Sequence, residues 1–568
     1  MIRRLAVLLL LALATAVVTA ADLPQASLGS GGGVAAEEGT AAEVGIRILR
    51  EGGNAADAAV AVAFALAVTW PEAGNIGGGG FWISRDAGGS VLAIDFRESA
   101  PGGARRELFL AEAGRPAPSS TEGPLASGVP GSVAGLALAH RRAGRLPWKR
   151  VVEPAIALAR DGFVVSANVS ESIAAERARL AKDPRTARIF LPGGEPPGPG
   201  SLFRQPALAK TLEAIRDRGA DGFYRGEIAR ALAEGQNEEG GLITRGDLGR
   251  YTARVRRPLR FRFLGAEIFT TPAPSSGPVL AEIALAVGRV PDDVRPPGAE
   301  SMHWLAEIEK RAFRDRNQLL GDPAFPGVAE RAFTDPARIA RLVASVDPAH
   351  ATRSASLSEV FPEKPMTTHF SVVDRDGMVV AVTTTLNDSF GNARVAPGLG
   401  FLMNNEMDDF ATRPGEKNLY GLIQGDVNSV APGKRMTSSM CPTIAVLPGR
   451  GVFAWGSPGG STIITTNLQV LLALTLRSQP LVAALAAPRF HQQDFPDALE
   501  VERDAFDPAW IAALEKMGHA IKPSDRDPVS GRIGRVHAVA ALPGGRSEAA
   551  ADPRRHGAGL VVAPQAAP

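Results

Sequence analysis

Residues 367–387 carry the pattern of a β-hairpin, and this pattern constrains the fold more than any other part of the chain. Two runs rich in Val, Thr and Phe, at 368–373 and 378–386, flank an Asp-Arg-Asp-Gly turn at 374–377. An Asp-Gly pair between two such runs is a strong hairpin signal. The sequence therefore predicts two adjacent antiparallel strands in the last third of the chain.

Pairing across this turn brings threonines together at the open end of the hairpin. Opposed positions have numbers that sum to about 751 or 752, which places Thr367 beside Thr384 or Thr385. Asn387 lies just beyond, so hydroxyls and an amide meet at one end of a sheet. Cross-strand threonine pairs are common in exposed sheets, so this hairpin alone leaves a structural and a catalytic role open.

The composition sets broad limits on the class of protein. The chain has 568 residues, more than the usual ~100–200 residues of one domain. Hydrophobic residues make up 45% and charged residues 21%, as in soluble globular proteins. The 62 Lys and Arg residues nearly balance 60 Asp and Glu residues, and there is no long basic run. We therefore expect no nucleic-acid partner.

The N-terminus has the pattern of a secretory signal peptide. Arg3 and Arg4 precede an apolar run, and small residues occupy the cleavage positions at 18–20. An uncleaved anchor helix is the alternative, but spanning a membrane takes ~20 apolar residues and this run is short. We expect residues 1–20 to be removed on export to the periplasm or the medium, leaving no stable membrane anchor. The single cysteine, Cys441, excludes an internal disulfide.

Helical patterns dominate up to about residue 350, and strand-like runs dominate from 367 onward. Asn54 begins an Ala- and Val-rich stretch that is apolar on most faces, which predicts a buried helix. Four glycines at 77–80 fit neither the dinucleotide-binding nor the P-loop motif, so we expect tight packing against a neighbouring strand. The helix-rich and strand-rich parts are either two domains or layers of one α/β fold.

Three polar stretches lie further along the chain. They are "FLMNNEMDDF" at 401–410, "TSSMCPT" at 437–443 and "GSPGGST" at 456–462. The last places two glycines between a strand and a helical segment, where free backbone N–H groups suit an anion or an oxyanion. Each stretch also fits a structural role, as a solvated loop, a turn or a plain strand–helix connection.

Common catalytic motifs are missing. There is no H-E-x-x-H, no paired Cys/His spacing and no G-x-S-x-G, so the sequence predicts neither a metal nor a cofactor. A nucleophile would have to be a hydroxyl without an evident histidine. Cleavage before Thr367 would give its hydroxyl a neighbouring α-amine, which titrates near ~8 and can accept the hydroxyl proton.

The motifs together resemble those of the γ-glutamyltranspeptidase family, also called glutathione hydrolases, of the N-terminal nucleophile superfamily. The resemblance covers nearly the whole chain after the signal peptide. The segments that carry it are "GGNAADAAVAVAFALAVTWPEAGNIGGGGF", "DFRESAP", "ASGVPGSVAGL", "GGLITRGDL", "PAPSSG", "TTHFSVVD", "FLMNNEMDDF", "SSMCPT" and "GSPGGSTIITT".

The resemblance implies an α/β fold of four αββα layers, built from a precursor that cuts itself between Met366 and Thr367. A large subunit (21–366) and a small subunit (367–568) would stay associated. Thr367 would take the γ-glutamyl group of glutathione, or of another γ-glutamyl donor, as an ester. Water or an amino acid or dipeptide acceptor would then remove it.

The resemblance also assigns the other site residues. Thr385 would orient the nucleophile, and Gly459 and Gly460 would supply oxyanion N–H groups. Tyr420, on a segment at 413–426 that resembles the family's lid loop, would gate the pocket. The residues assigned to the donor's α-carboxylate are Arg97, Ser438 and Ser439, and those assigned to its α-amino group are Asn387, Glu406 and Asp409. A γ-glutamyl donor is a zwitterion at the end far from its scissile amide, so it needs both kinds of charge.

Two alternatives are weaker. A glutaryl-type (cephalosporin) acylase of the same superfamily would have no use for Asp409, because glutaryl lacks the α-amino group. An uncleaved, non-catalytic relative that binds γ-glutamyl compounds would not need Thr367 or Thr385. Two departures from the family pattern are Glu406, where some members have Gln, and the tail beyond Pro553.

Overall fold

The computed structural model describes residues 26–112, 116–354, 367–413, 418–419, 421–524 and 533–563. The predicted signal peptide, 1–20, lies outside them and stays a prediction. The described residues form two stacked seven-stranded sheets with helices on both outer faces. This arrangement confirms the predicted α/β fold of four αββα layers.

All strand pairs within the two large sheets are antiparallel. The first sheet, in spatial order, consists of β1 (Ala26–Gly29), β18 (Arg546–Ala551), β17 (His537–Leu542), β13 (Gly451–Gly456), β12 (Thr443–Leu447), β9 (Ala266–Thr270) and β8 (Leu259–Phe263). The second consists of β19 (Ala558–Val561), β2 (Gly32–Ala36), β10 (Thr368–Asp374), β11 (Val379–Thr385), β3 (Gly79–Arg85), β4 (Val91–Asp95) and β7 (Arg254–Arg256). The short strands β5 (Phe163–Val164) and β6 (Leu202–Phe203) pair with each other, and β14 (Phe490–His491), β15 (Leu499–Glu502) and β16 (Ile521–Ser524) form a small third sheet.

Helices cover each sheet from outside. Those that share a hydrophobic core with the second sheet are α1 (Gly39–Arg50), α2 (Ala55–Thr69), α3 (Ser132–Ala143), α4 (Trp148–Asp161), α5 (Ala167–Ala175), α6 (Arg177–Leu180), α7 (Pro184–Phe190), α8 (Pro206–Arg218), α9 (Ala220–Tyr224), α10 (Gly226–Glu238) and α11 (Arg245–Arg250). Those on the first sheet are α12 (Gly277–Val287), α13 (Ala299–Leu319), α14 (Pro336–Ala344), α15 (Thr462–Thr475), α16 (Leu481–Ala486) and α17 (Pro508–Lys516).

Both large sheets combine strands from before and after Thr367. In the second sheet, β2 and β3 flank the hairpin of β10 and β11. The inner faces of the two sheets meet in a thin apolar layer that includes Val373, Ile444 and Val539. The helix-rich and strand-rich parts of the sequence therefore belong to one layered fold, and each part contributes strands to both sheets.

The predicted buried helix is α2. The Asn54 side chain accepts from the Asp57 N–H, and the Asp57 side chain accepts from the Asn54 N–H, which forms a capping box. Every residue of α2 is buried, because it packs on the second sheet with α1, α3 and α4 around it. The prediction of a buried helix starting after Asn54 is confirmed.

The glycine run packs against the hairpin, as predicted. A Cβ on Gly78 would lie 2.0 Å from Thr385 O, and one on Gly80 would lie 2.2 Å from Thr383 O. Real Cβ atoms do not approach a carbonyl oxygen this closely. Only glycine therefore lets β3 lie this close to the end of β11.

Within the parts of the chain that the structure describes, no helix is long and apolar enough to cross a membrane. The same residues contain no group of three His, Cys, Asp or Glu side chains placed to hold a metal ion.

Candidate active site

The open end of the hairpin holds Thr367 against Thr385. Thr367 Oγ1 donates to Thr385 Oγ1 at 3.4 Å, and the Asn387 N–H donates to the same oxygen at 2.9 Å. Successive residues of a strand face opposite sides, so Thr384 points away and donates to Gly79 O at 2.8 Å. The register of the hairpin thus makes Thr385, and not Thr384, the partner of Thr367.

Asn75, which was missed among the sequence candidates, holds this end of β11. Its Nδ2 donates to Thr384 Oγ1 at 3.2 Å and to Thr385 O at 3.0 Å. Its Oδ1 accepts from Gly78 N at 3.0 Å and from Ser132 Oγ at 2.6 Å. Buried polar groups need such partners, so Asn75 fixes the strand end beside the candidate nucleophile. Its only signal in the sequence is its place just before the glycine run.

His369 lies on the same face of β10 as Thr367, but its ring is bonded elsewhere. Nδ1 lies 2.8 Å from Thr383 Oγ1, and Nε2 lies 2.9 Å from Ser371 Oγ. Burial holds the pKa of the imidazole well below its usual range, so the ring is neutral. A nucleophile at Thr367 therefore has no imidazole base from this strand.

A buried ion cluster surrounds Arg97, which follows the end of β4. Its guanidinium pairs with the carboxylates of Glu406 and Asp409, and Nη1 lies 3.5 Å from Glu98 Oε2. Burial raises the pKa of Glu98 to about 7, and it raises the pKa values of Glu406 and Asp409 above their usual range. One candidate for the donor's carboxylate and two for its ammonium thus meet in one cluster. Glu98 was not among the sequence candidates, although it follows Arg97 directly.

Two asparagines tie the acidic turn, Glu406–Asp409, to neighbouring elements. Asn404 Nδ2 donates to Gly77 O at 2.8 Å, and Asn404 Oδ1 accepts from Glu406 N at 3.1 Å. Asn387 Nδ2 donates to Asn405 O at 3.0 Å. These bonds hold the Arg97 cluster at a fixed position relative to the hairpin.

Ser438 and Ser439 lie beside the same cluster, on the segment before β12. Arg97 Nη2 donates to Thr437 O at 3.4 Å, which places the guanidinium next to the serines. Ser439 Oγ accepts from Arg316 Nη2 at 3.2 Å. Arg316 belongs to α13 and was missed because nothing in the sequence shows which of the charged residues on that helix are buried.

The Gly459-Gly460 turn joins β13 to α15. Its φ angles of 136° and 56° lie in the left-handed region that favours glycine. The strand before the turn ends at Gly456, where a Cβ would lie 2.4 Å from the ring of His369. The turn therefore leaves the first sheet at the same end as the threonine pair, at a helix start where backbone N–H groups lack helical partners.

Met366 and Tyr420 lie outside the described residues, so the cleavage junction and the gate stay predictions. Beside Tyr420, Leu419 N donates to Asp408 Oδ2 at 2.8 Å. Ser120 Oγ donates to the other oxygen of Asp408 at 2.6 Å. The acidic turn is thus bonded on its outer side as well.

The family model described as Gamma-glutamyltranspeptidase matches residues 41–562. The chain belongs to this family. The match takes in the glycine run, the hairpin and every site segment described above, so the resemblance expected from the motifs is confirmed.

Curated relatives match along almost their whole length. The chain is 42% identical over 535 residues to the glutathione hydrolase proenzyme of Escherichia coli strain K12, covering 92% of this chain and 90% of that protein. It is 41% identical over 566 residues to the glutathione hydrolase proenzyme of Pseudomonas aeruginosa PAO1, covering 98% and 99%.

Solved structures support the fold. A cephalosporin acylase from Bacillus halodurans superposes with a TM-score of 0.82 over 94% of this chain and 97% of that chain, at 23% identity. At that identity the likeness shows the fold alone. A γ-glutamyltranspeptidase from Pseudomonas nitroreducens complexed with L-DON is 41% identical, with a TM-score of 0.53, over 57% of this chain and 96% of that chain.

Proposed function

We propose that this member of the family is an autoprocessed γ-glutamyltransferase and glutathione hydrolase. The observation that carries the proposal is the contact of Thr367 with Thr385 at the end of a central hairpin, where the nearby ring of His369 is bonded to Thr383 and Ser371 instead. The precursor would cut itself between Met366 and Thr367, giving a large subunit (21–366) and a small subunit (367–568). Export to the periplasm or the medium would precede this, with loss of residues 1–20.

The free α-amine of Thr367 acts as the base in this mechanism. It takes the Oγ1 proton as the oxygen attacks the γ-carbonyl carbon of the donor. N–H groups of Gly459 and Gly460 stabilise the oxyanion that forms. The C–N bond then breaks, and the proton passes to the leaving amine. Thr367 is left as a γ-glutamyl ester, which water or an amino acid or dipeptide acceptor removes by the reverse sequence.

The donor's zwitterionic end fits the ion cluster by charge. Arg97, Ser438 and Ser439 would bind its α-carboxylate. Its ammonium group would be bound by Asn387, Glu406 and Asp409. Arg97 is paired with Glu406 and Asp409 in the described structure. A bound zwitterion would replace these ion pairs, because its carboxylate would pair with Arg97 and its ammonium with the two acids. A glutaryl group would leave Glu406 and Asp409 without an ammonium, which disfavours the acylase alternative.

Intact-mass measurement of the purified protein, with N-terminal sequencing, tests the proposal. We expect two chains, one of which begins Thr-Thr-His-Phe, and release of p-nitroaniline from L-γ-glutamyl-p-nitroanilide but not from glutaryl-p-nitroanilide. Thr367→Ala should stay one chain without activity, and Thr367→Ser should keep both properties at a reduced rate. A wild-type protein that stays uncut and inactive would favour the non-catalytic alternative. A Thr367→Ala protein that still splits at 366/367 would exclude the proposed nucleophile.

A further inference from the structure

Arg316 is a buried cation that, among the described residues, makes its hydrogen bonds to neutral oxygens only. It is 2% exposed, and its guanidinium donates to Ser276 Oγ at 3.0 Å, Ser439 Oγ at 3.2 Å and Asn317 Oδ1 at 3.4 Å. Among the described residues, no carboxylate oxygen lies within 4 Å of it. Burial lowers the pKa of Arg316 to about 10, so it is still charged at neutral pH.

The other arginines with equally buried side chains are all paired. Arg97 contacts Glu406 and Asp409. Arg435 Nη1 lies 2.5 Å from Asp95 Oδ1, and Arg489 Nη2 lies 2.7 Å from Asp552 Oδ2. Removing a cation from water without an anion is costly. Arg316 instead bonds only to neutral oxygens and feels the Asp409 carboxylate without contacting it, which leaves its charge available to an anion that arrives with a ligand.

Ser439, which accepts a hydrogen bond from Arg316, lies on the more accessible side of the site. Ser439 is 8% exposed and the Asp409 side chain 11%, whereas the side chains of Arg97 and Glu406 are 0% and 1% exposed. A ligand entering the cluster would thus meet Ser439 and Asp409 first. Because Arg316 donates to Ser439 Oγ, the hydroxyl hydrogen of Ser439 is left to donate to that ligand.

We propose that Arg316 is a positioning residue for the donor: it holds the Ser439 hydroxyl and supplies the positive charge that attracts the α-carboxylate. This role rests on the proposed function. The Asp409 carboxylate, whose charge acts on Arg316 and whose side chain is 11% exposed, supplies the opposite charge for the donor's ammonium.

A purely structural role is the competing explanation. Arg316 could offset the negative charge of the three acids around Arg97 without contacting any donor. The two roles differ in one respect: only donor recognition depends on whether the donor carries an α-carboxylate.

The experiment compares two donors on mature Arg316→Gln and wild-type protein. One is L-γ-glutamyl-p-nitroanilide, and the other is its α-carboxamide, which has the same size but no carboxylate charge. The variant should lose about 10- to 100-fold in kcat/KM on the carboxylate donor, mainly through KM, as expected for a lost charge-assisted hydrogen bond. On the carboxamide donor it should stay within about threefold of wild type.

Controls separate recognition from folding. Arg311→Gln, which removes an arginine of the same helix paired with Glu307, should leave the ratio between the two donors unchanged. Ser439→Ala leaves the buried cation in place and should reproduce the selective loss, and adding Arg316→Gln to it should cause little further loss. Ser439→Ala also serves as the test if Arg316→Gln does not mature.

Equal losses on both donors would overturn the proposed role of Arg316, and so would an unchanged ratio in Ser439→Ala. Both results require an active wild-type enzyme, so they leave the proposed function standing. A wild-type protein inactive on both donors would instead reject the proposed function itself.

Discussion

Thr384 and Thr385 are neighbours on β11, but their hydroxyls lie on opposite faces of the strand. Thr385 Oγ1 accepts from Thr367 and from Asn387 N. Replacing it by Val keeps the shape and removes this acceptor. We expect kcat of the mature enzyme to fall about 10²-fold with little change in KM, because a misaligned nucleophile is costly. Steady-state kinetics with L-γ-glutamyl-p-nitroanilide measure this.

Thr384→Val is the matched control. It loses the hydroxyl bonds to Gly79 O and Asn75, so stability should fall by about 1 kcal/mol while kcat stays within about threefold of wild type. If Thr385→Val does not mature, the rate of chain cleavage, followed by mass spectrometry, replaces kcat as the measurement. Equal effects of the two substitutions on that quantity would contradict the assignment of Thr385.

At the scale of residues, the sequence predicts local pairs better than distant ones. The position of Thr385 beside Thr367 follows from a turn and an alternating pattern. The contact of Arg97 with Glu406 joins residues 309 positions apart and depends on how three loops converge. Charge type and family motif identified these two residues, but no pattern in the sequence predicts that they bond to each other without a ligand. Arg316 was missed because no pattern in the sequence shows that it, among the charged residues of its helix, is buried.

At the scale of elements, α1 begins with a buried carboxyl. Glu38 caps this helix by accepting from Ala41 N at 3.2 Å, and it is only 5% exposed. Burial raises its pKa from 4.5 to about 7. Between these two pH values the folded protein keeps a proton that the unfolded chain has released, so this residue lowers the free energy of unfolding as pH rises.

Glu38→Gln should remove that pH dependence. Glutamine keeps an acceptor for Ala41 N and does not titrate. The stability of the variant relative to wild type should therefore increase from pH 4.5 to pH 8, by up to about 3 kcal/mol. Thermal melts across this range measure it. Glu43→Gln, on the exposed side of α1, is the control. If the stability difference between Glu38→Gln and wild type changed as little with pH as the difference for the control, the prediction would be wrong.

The elements themselves were largely predictable. The helix after Asn54, the hairpin and the packing of the glycine run each rest on a local rule that tertiary contacts reinforce. The predicted second strand, 378–386, is one residue too long at each end, since β11 covers Val379–Thr385. What the sequence left open was whether helix-rich and strand-rich parts form two domains, because strand order depends on pairings between distant segments.

At the scale of the whole molecule, that strand order determines what cleavage before Thr367 can do. Strands from before the junction lie beside strands from after it in both sheets: β2 pairs with β10 and β19, β3 with β11, β9 with β12, and β1 with β18. A cut at the junction breaks none of these ladders. Neither part keeps a complete sheet by itself.

We therefore expect the two chains to remain one particle after cleavage. Native mass spectrometry should give a single species with the combined mass of both chains, and size-exclusion chromatography should give the same elution volume as for uncut Thr367→Ala. The chains should separate only in denaturant, and each expressed alone should fail to fold, because its exposed strand edges and apolar sheet faces would favour aggregation. Dissociation of the cleaved chains under native conditions would show that the interleaved sheets do not hold the mature protein together.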